Sequence, residues 1–85
     1  MTSDSLLKAR QAIGTALTRA LPEHPHIDWQ HSLSAEAGLD SVQIMNLVME
    51  VEDELDLSVP VDLLAEVNTL EELAERLAGL IEEQA

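Results

Sequence analysis

The residues of this sequence with the strongest claim to chemistry sit in one pentapeptide, Gly38-Leu39-Asp40-Ser41-Val42. The pattern places a serine hydroxyl at the end of a Pro- and Gly-containing segment, on the first turn of a predicted helix. The first N–H groups of a helix have no partner within it, and the aligned peptide dipoles add partial positive charge there. A phosphate bonded to Ser41 would lie where both effects favour an anion. Gly38 lets the chain turn tightly into the helix without a side chain in the way. Leu39 and Val42 are the apolar neighbours of the serine, placed to shield the root of an attached group or to meet a partner. Asp-Ser also opens many helices simply because both residues cap well. The dipeptide alone therefore does not separate a tethering site from a plain cap.

Other clusters carry less. His24, His26 and His31, with Glu23 and Asp28 beside them, have metal-binding side chains. Zinc needs convergent ligands, which a proline-interrupted loop does not supply by itself, so no metal site is expected. A Ser-His-Asp triad built on Ser41 would need an oxyanion hole and a substrate pocket, and a chain of 85 residues has little room for either. No catalytic residue is expected, and the chain reads as a non-enzyme. The run from Glu50 to Asp56 is acidic, but it lacks the Asp-x-Asp-x-Asp-Gly order of a calcium loop and looks helical. Divalent ions should screen it and raise thermal stability. There is no cysteine, hence no disulfide framework and no thiolate ligand. A thiol, if the function needs one, must come from a cofactor.

Helices must position these residues. Leu6, Ala9, Ile13, Ala16, Leu17 and Ala20 share a stripe at helical spacing, which predicts a helix over about 5–20 that Pro22 and Pro25 end. Residues 22–40 form a connection longer than compact domains usually hold. Ile27, Trp29 and Leu33 can pin it, and Ser34-Ala35-Glu36 suggests a short turn. Asp40 as N-cap, with Gln43 three residues on, makes a capping box for a helix over about 41–55. Its inward stripe is Leu47, Val48, Val51 and Leu55, flanked by Met45 and Met49, with Gln43, Asn46, Glu50, Asp53 and Glu54 outward. Pro60 suits the start of a brief helix over about 61–65, tied to the core by Val59, Val61 and Leu64. Thr69-Leu70-Glu71-Glu72 repeats the capping-box pattern and opens a last helix over about 70–82. Strand-like alternation is absent. The expected fold is all-α, a four-helix bundle of three longer helices and a short third one, forming a single domain over 1–85.

The charge is lopsided. Residues 36–85 hold fourteen Asp and Glu against the single Arg76, which accounts for the whole net charge of −13. Such a field repels nucleic acid and anionic membrane and steers encounters with basic protein patches. No basic-then-apolar leader is readable at the N-terminus, and no run approaches the roughly 18 apolar residues of a membrane span. A cytoplasmic location is expected.

Gly38-Leu39-Asp40-Ser41-Val42 resembles the G-x-D-S-[LV] signature of acyl and peptidyl carrier proteins. The run from Ile44 to Leu55 is similar to that family's second helix, Leu57-Ser58-Val59-Pro60 to its break before helix three, and Asn68-Thr69-Leu70 to the start of its fourth helix. The resemblance covers almost the whole chain. It implies a four-helix bundle of the acyl-carrier type, with 4′-phosphopantetheine transferred from coenzyme A onto Ser41 by a phosphopantetheinyl transferase. Acyl intermediates would then travel as thioesters to acyl-loading and acyl-using enzymes with basic docking patches, in lipid or secondary-metabolite biosynthesis. By the same resemblance Asp40, Val42, Met49, Glu52 and Asp53 face partners; Met45, which core filling would equally explain, is counted with them, and the chain is expected to be a stand-alone monomer because a carrier must expose its working helix. The alternatives are a peptidyl or aryl carrier, which differs only in cargo, and an unmodified acidic adaptor. Three positions depart from the commonest fatty-acid type: Gln43 and Asn46 where acids are frequent, and Leu55 where an aromatic is frequent. The face beside the serine is therefore less negative, which points toward a specialised pathway.

Overall fold

The first helix, α1 (Asp4–Ala20), turns Ala9, Ala12, Ile13 and Ala16 inward. Three of these four are alanines, so its backbone can lie close to whatever packs on that face. Two long helices use it, α2 (Ser41–Leu55) and α4 (Leu70–Gln84), and both dock on α1. α2 contributes Leu47, Val48 and Val51 to the core, and α4 contributes Leu70, Leu73, Ala74, Leu77 and Ala78. The short α3 (Val61–Glu66) lies between them in sequence. It has no side-chain cap, and the N–H groups of Leu63 and Leu64 turn back onto the Pro60 carbonyl.

This computed structural model describes residues 4–23, 27–30, 32–33 and 38–84. Among the described residues the chain is all-helical, with three long helices and one short one. His24, His26, His31 and the turn expected at 34–36 lie outside them, as does the side chain of Val61. The spacing of α1 is read correctly in its centre. Ala12 joins the buried set, while Leu6, Leu17 and Ala20 are half-buried at its rim.

The connection from α1 to α2 is held from inside. Leu21, Leu33 and Leu39 are buried, and Ile27 and Trp29 pack partly against the same core. Its backbone is tied to the start of α4: the Leu33 N–H donates to the Asn68 carbonyl (2.8 Å), and the Glu71 N–H donates to the Trp29 carbonyl (3.1 Å). The second bond gives an acceptor to one of the donors that every helix start leaves unpaired. At the same helix start the Glu72 N–H donates to the Thr69 hydroxyl (3.1 Å). The Glu72 carboxylate takes the Thr69 hydroxyl and the Asn68 N–H, each at 3.3 Å. It thus reaches one residue further back than in the usual box.

Three of the four cations join different elements. Arg10 of α1 pairs with Glu71 of α4, Arg19 of α1 with Glu54 of α2, and Arg76 of α4 with Glu66 of α3. Among the described residues no helix is long and apolar enough to cross a membrane.

Candidate functional site

α2 begins where local chemistry dictates. The Asp40 carboxylate accepts the Gln43 N–H at 2.8 Å, and the Gln43 side-chain oxygen accepts the Asp40 N–H at 3.1 Å. Both halves of the capping box are present, and the Asp40 carbonyl takes the Ile44 N–H at 3.0 Å. Ser41 is the first helical residue and is exposed. Asp40 serves the third N–H of the helix, so those of Ser41 and Val42 remain free to meet an anion. Gly38 leads in with φ +74, a left-handed conformation that side-chain-bearing residues rarely adopt.

Leu39 and Val42, paired in the sequence reading as apolar neighbours of the serine, part company. Leu39 is buried in the core, and its N–H donates to the Leu33 carbonyl at 2.9 Å. It anchors the loop end beneath the serine and presents nothing to a partner. Val42 is 64% exposed, and Met45 and Met49 are 58% and 59% exposed. The two methionines therefore do not fill the core, the ordinary role of such residues. With Ser41, Asn46 and Asp53 they make the outward surface of α2.

The acidic end of α2 is partly engaged internally. The carboxylate of half-buried Glu52 accepts the Val59 N–H at 2.7 Å, which holds the break before α3 against the end of α2. Glu54 pairs with Arg19. Sequence reasoning missed the bond to Val59. Its only signal was that Leu57 and Val59 straddle exposed Ser58, so that a buried loop backbone there needed an acceptor. Asp56 closes α2 at φ 52, and the N–H groups of Asp56 and Leu57 both return to the Glu52 carbonyl.

A cavity of ≈ 80 Å³ lies against the first half of α2. Leu33, Ile44, Leu47, Val48, Leu64 and Leu73 supply apolar walls, and Asn68 is the polar residue among its lining. An exposed hydroxyl at a helix start, next to two unpartnered N–H groups, fits a covalently attached phosphodiester. Among the described residues, no group of three or more His, Asp or Glu side chains is placed to hold a metal.

Comparison with known proteins identifies a family. The family model described as "Phosphopantetheine attachment site" matches residues 8–77. A curated relative, "Probable acyl carrier protein" of Caulobacter vibrioides (strain NA1000 / CB15N), is 34% identical over 68 residues, covering 80% of this chain and 79% of its own length. No solved structure matches.

Proposed function

This chain belongs to the acyl carrier protein family, whose prosthetic group is 4′-phosphopantetheine, and on that premise we propose that Ser41 is the attachment point and that the chain is a carrier without catalysis of its own. The observation that carries the assignment is the exposed Ser41 hydroxyl at the capped start of α2. The attached group supplies a terminal thiol for acyl cargo, which a chain without cysteine cannot provide itself.

The chain's own residues do the rest. The capping box fixes the helix start rigidly, so the serine oxygen is presented at one place to an approaching transferase. The N–H groups of Ser41 and Val42 favour the phosphate once it is attached. Asp40, Val42, Met45, Met49, Glu52 and Asp53 form the docking side, with one oxygen of Glu52 also bonded to Val59. The cavity beside α2 gives the first atoms of an apolar cargo a place out of water. The partners are a phosphopantetheinyl transferase and acyl-loading and acyl-using enzymes. The setting is cytoplasmic lipid or secondary-metabolite biosynthesis, with the chain acting as a monomer. A peptidyl or aryl cargo is the second reading, since the attachment chemistry is identical.

Intact mass after incubation with coenzyme A and a promiscuous phosphopantetheinyl transferase tests the proposal. The expected result is a gain of one phosphopantetheine that Ser41→Ala abolishes while the circular dichroism of the fold is retained. No gain, or a gain that survives Ser41→Ala, would overturn it.

A further inference from the structure

The cavity beside α2 is aliphatic on every side but one. Leu33, Leu47 and Leu73 are buried and make its floor, and Ile44 and Leu64 are half-buried at its rim. Ile44 follows Ser41 by three residues, so the rim starts about 4.5 Å along the helix from the attachment residue. Asn68 is the exception, a polar side chain exposed at the same rim. It stands just before a helix, yet it is not the cap: the Thr69 hydroxyl takes the Glu72 N–H at 3.1 Å. Its backbone is pinned on both sides, the N–H donating to the Glu72 carboxylate at 3.3 Å and the carbonyl accepting the Leu33 N–H at 2.8 Å. Its carboxamide makes no hydrogen bond among the described residues. The side chain thus has an anchored base and a donor-acceptor tip that its own fold does not use.

At about 10–15 Å³ for each water-sized group, ≈ 80 Å³ has room for about five to eight such groups, the carbons of a short acyl chain. Resting on the carrier reading above, we propose that the cargo is a short aliphatic acyl chain with a hydroxyl or keto oxygen on its β carbon, and that Asn68 is the residue that reads this oxygen. The tail enters first, because the thioester is tied to an arm that comes from outside. The β carbon then lies at the rim and the later carbons on the leucine floor. An oxygen near the tail would be buried there without a partner, which is costly, whereas one at the rim meets Asn68. The carboxamide accepts from a hydroxyl and donates to a keto group, so it serves both oxidation levels. Trp29, the one aromatic residue, lines a different groove beside Arg10 and Glu71, so a flat aryl cargo finds no ring to stack on in this cavity.

The test loads the unmodified full chain from acyl-coenzyme A donors with a promiscuous phosphopantetheinyl transferase. Cleavage of each thioester by hydroxylamine is then measured relative to that of the same acyl-coenzyme A. On that scale the β-hydroxyhexanoyl and β-oxohexanoyl forms should be cleaved about three- to tenfold more slowly than the hexanoyl form, the worth of one hydrogen bond. Asn68→Leu should erase the difference. Asn68→Asp keeps an acceptor and loses the donors, so it should keep the β-hydroxy advantage and lose the β-oxo one. The side-chain amide resonances of Asn68 should shift with β-hydroxyhexanoyl cargo and not with hexanoyl, a response that a purely structural asparagine would not give. An ω-hydroxyhexanoyl chain should be protected less than hexanoyl, and dodecanoyl no better than octanoyl. Equal protection of the hexanoyl and β-hydroxyhexanoyl forms, an advantage that survives Asn68→Leu, or protection that keeps rising to dodecanoyl would overturn the inference and leave the carrier reading standing. Failure of the wild-type chain to take up any acyl-phosphopantetheine would remove the carrier reading, and this inference with it.

Discussion

Replacing Glu52 by alanine sets two opposed effects against each other. The carboxylate accepts the Val59 N–H at 2.7 Å in a partly buried setting. A hydrogen bond to a charged acceptor contributes about 1.5–3 kcal/mol, and partial exposure places this one near about 1.5 kcal/mol. Removing a negative charge from a chain of net charge −13 acts the other way. On the helix surface, however, only residues three and four away are close neighbours, and among those positions Asp56 is the one acid. The relief is then about 0.3–0.5 kcal/mol. The lost bond wins by about 1 kcal/mol, which for a domain of this size lowers Tm by about 4–8 °C. Glu52→Gln keeps an oxygen but loses the charge, and should recover about half of the deficit, since neutral hydrogen bonds are about half as strong. Thermal melts by circular dichroism give the stabilities, and amide exchange at Val59 reports the bond itself. If Glu52→Ala melts at or above the wild-type temperature with Val59 exchange unchanged, the reasoning fails and Glu52 is simply another repelling charge.

Further outcomes are expected from the backbone and from the charge. Gly14 lies inside α1 with no atom within 4 Å of where a Cβ would sit, so Gly14→Ala should stabilise by about 0.5–1 kcal/mol in a denaturant titration. Asp56 holds φ 52, and Asp56→Gly should raise Tm by removing a left-handed cost of about 1–2 kcal/mol, whereas Asp56→Val should lower it. Magnesium chloride should raise Tm more than sodium chloride at equal ionic strength, because a divalent ion screens the acid-rich half of the chain more effectively; equal effects would refute this.

The start of α2 is legible in the sequence because its cause is local: Asp40 and Gln43 are three residues apart, and their two hydrogen bonds need nothing else. α1 and α4 are legible through their period, and α3 through Pro60. What the sequence conceals depends on contacts across the fold. Leu39 and Val42 are both apolar and both flank the serine, yet the core takes one and leaves the other in solvent. Met45 and Met49 sit at the edge of the inward stripe, where spacing alone allows either outcome. The docking of α2 on α1 decides which edge is covered. Glu52 reads as a surface acid because its acceptor role is created only when the chain folds back at Asp56.

The two backbone hydrogen bonds that moor the long connection, from Trp29 to Glu71 and from Leu33 to Asn68, join residues 42 and 35 positions apart. During vectorial synthesis the stretch leading into Ser41 leaves the ribosome well before its moorings do. The capping box of Asp40 and Gln43 and the bond from the Leu39 N–H to the Leu33 carbonyl need no later residue, so the serine end can be set early, while the outer part of the connection takes its final shape only when the last helix docks.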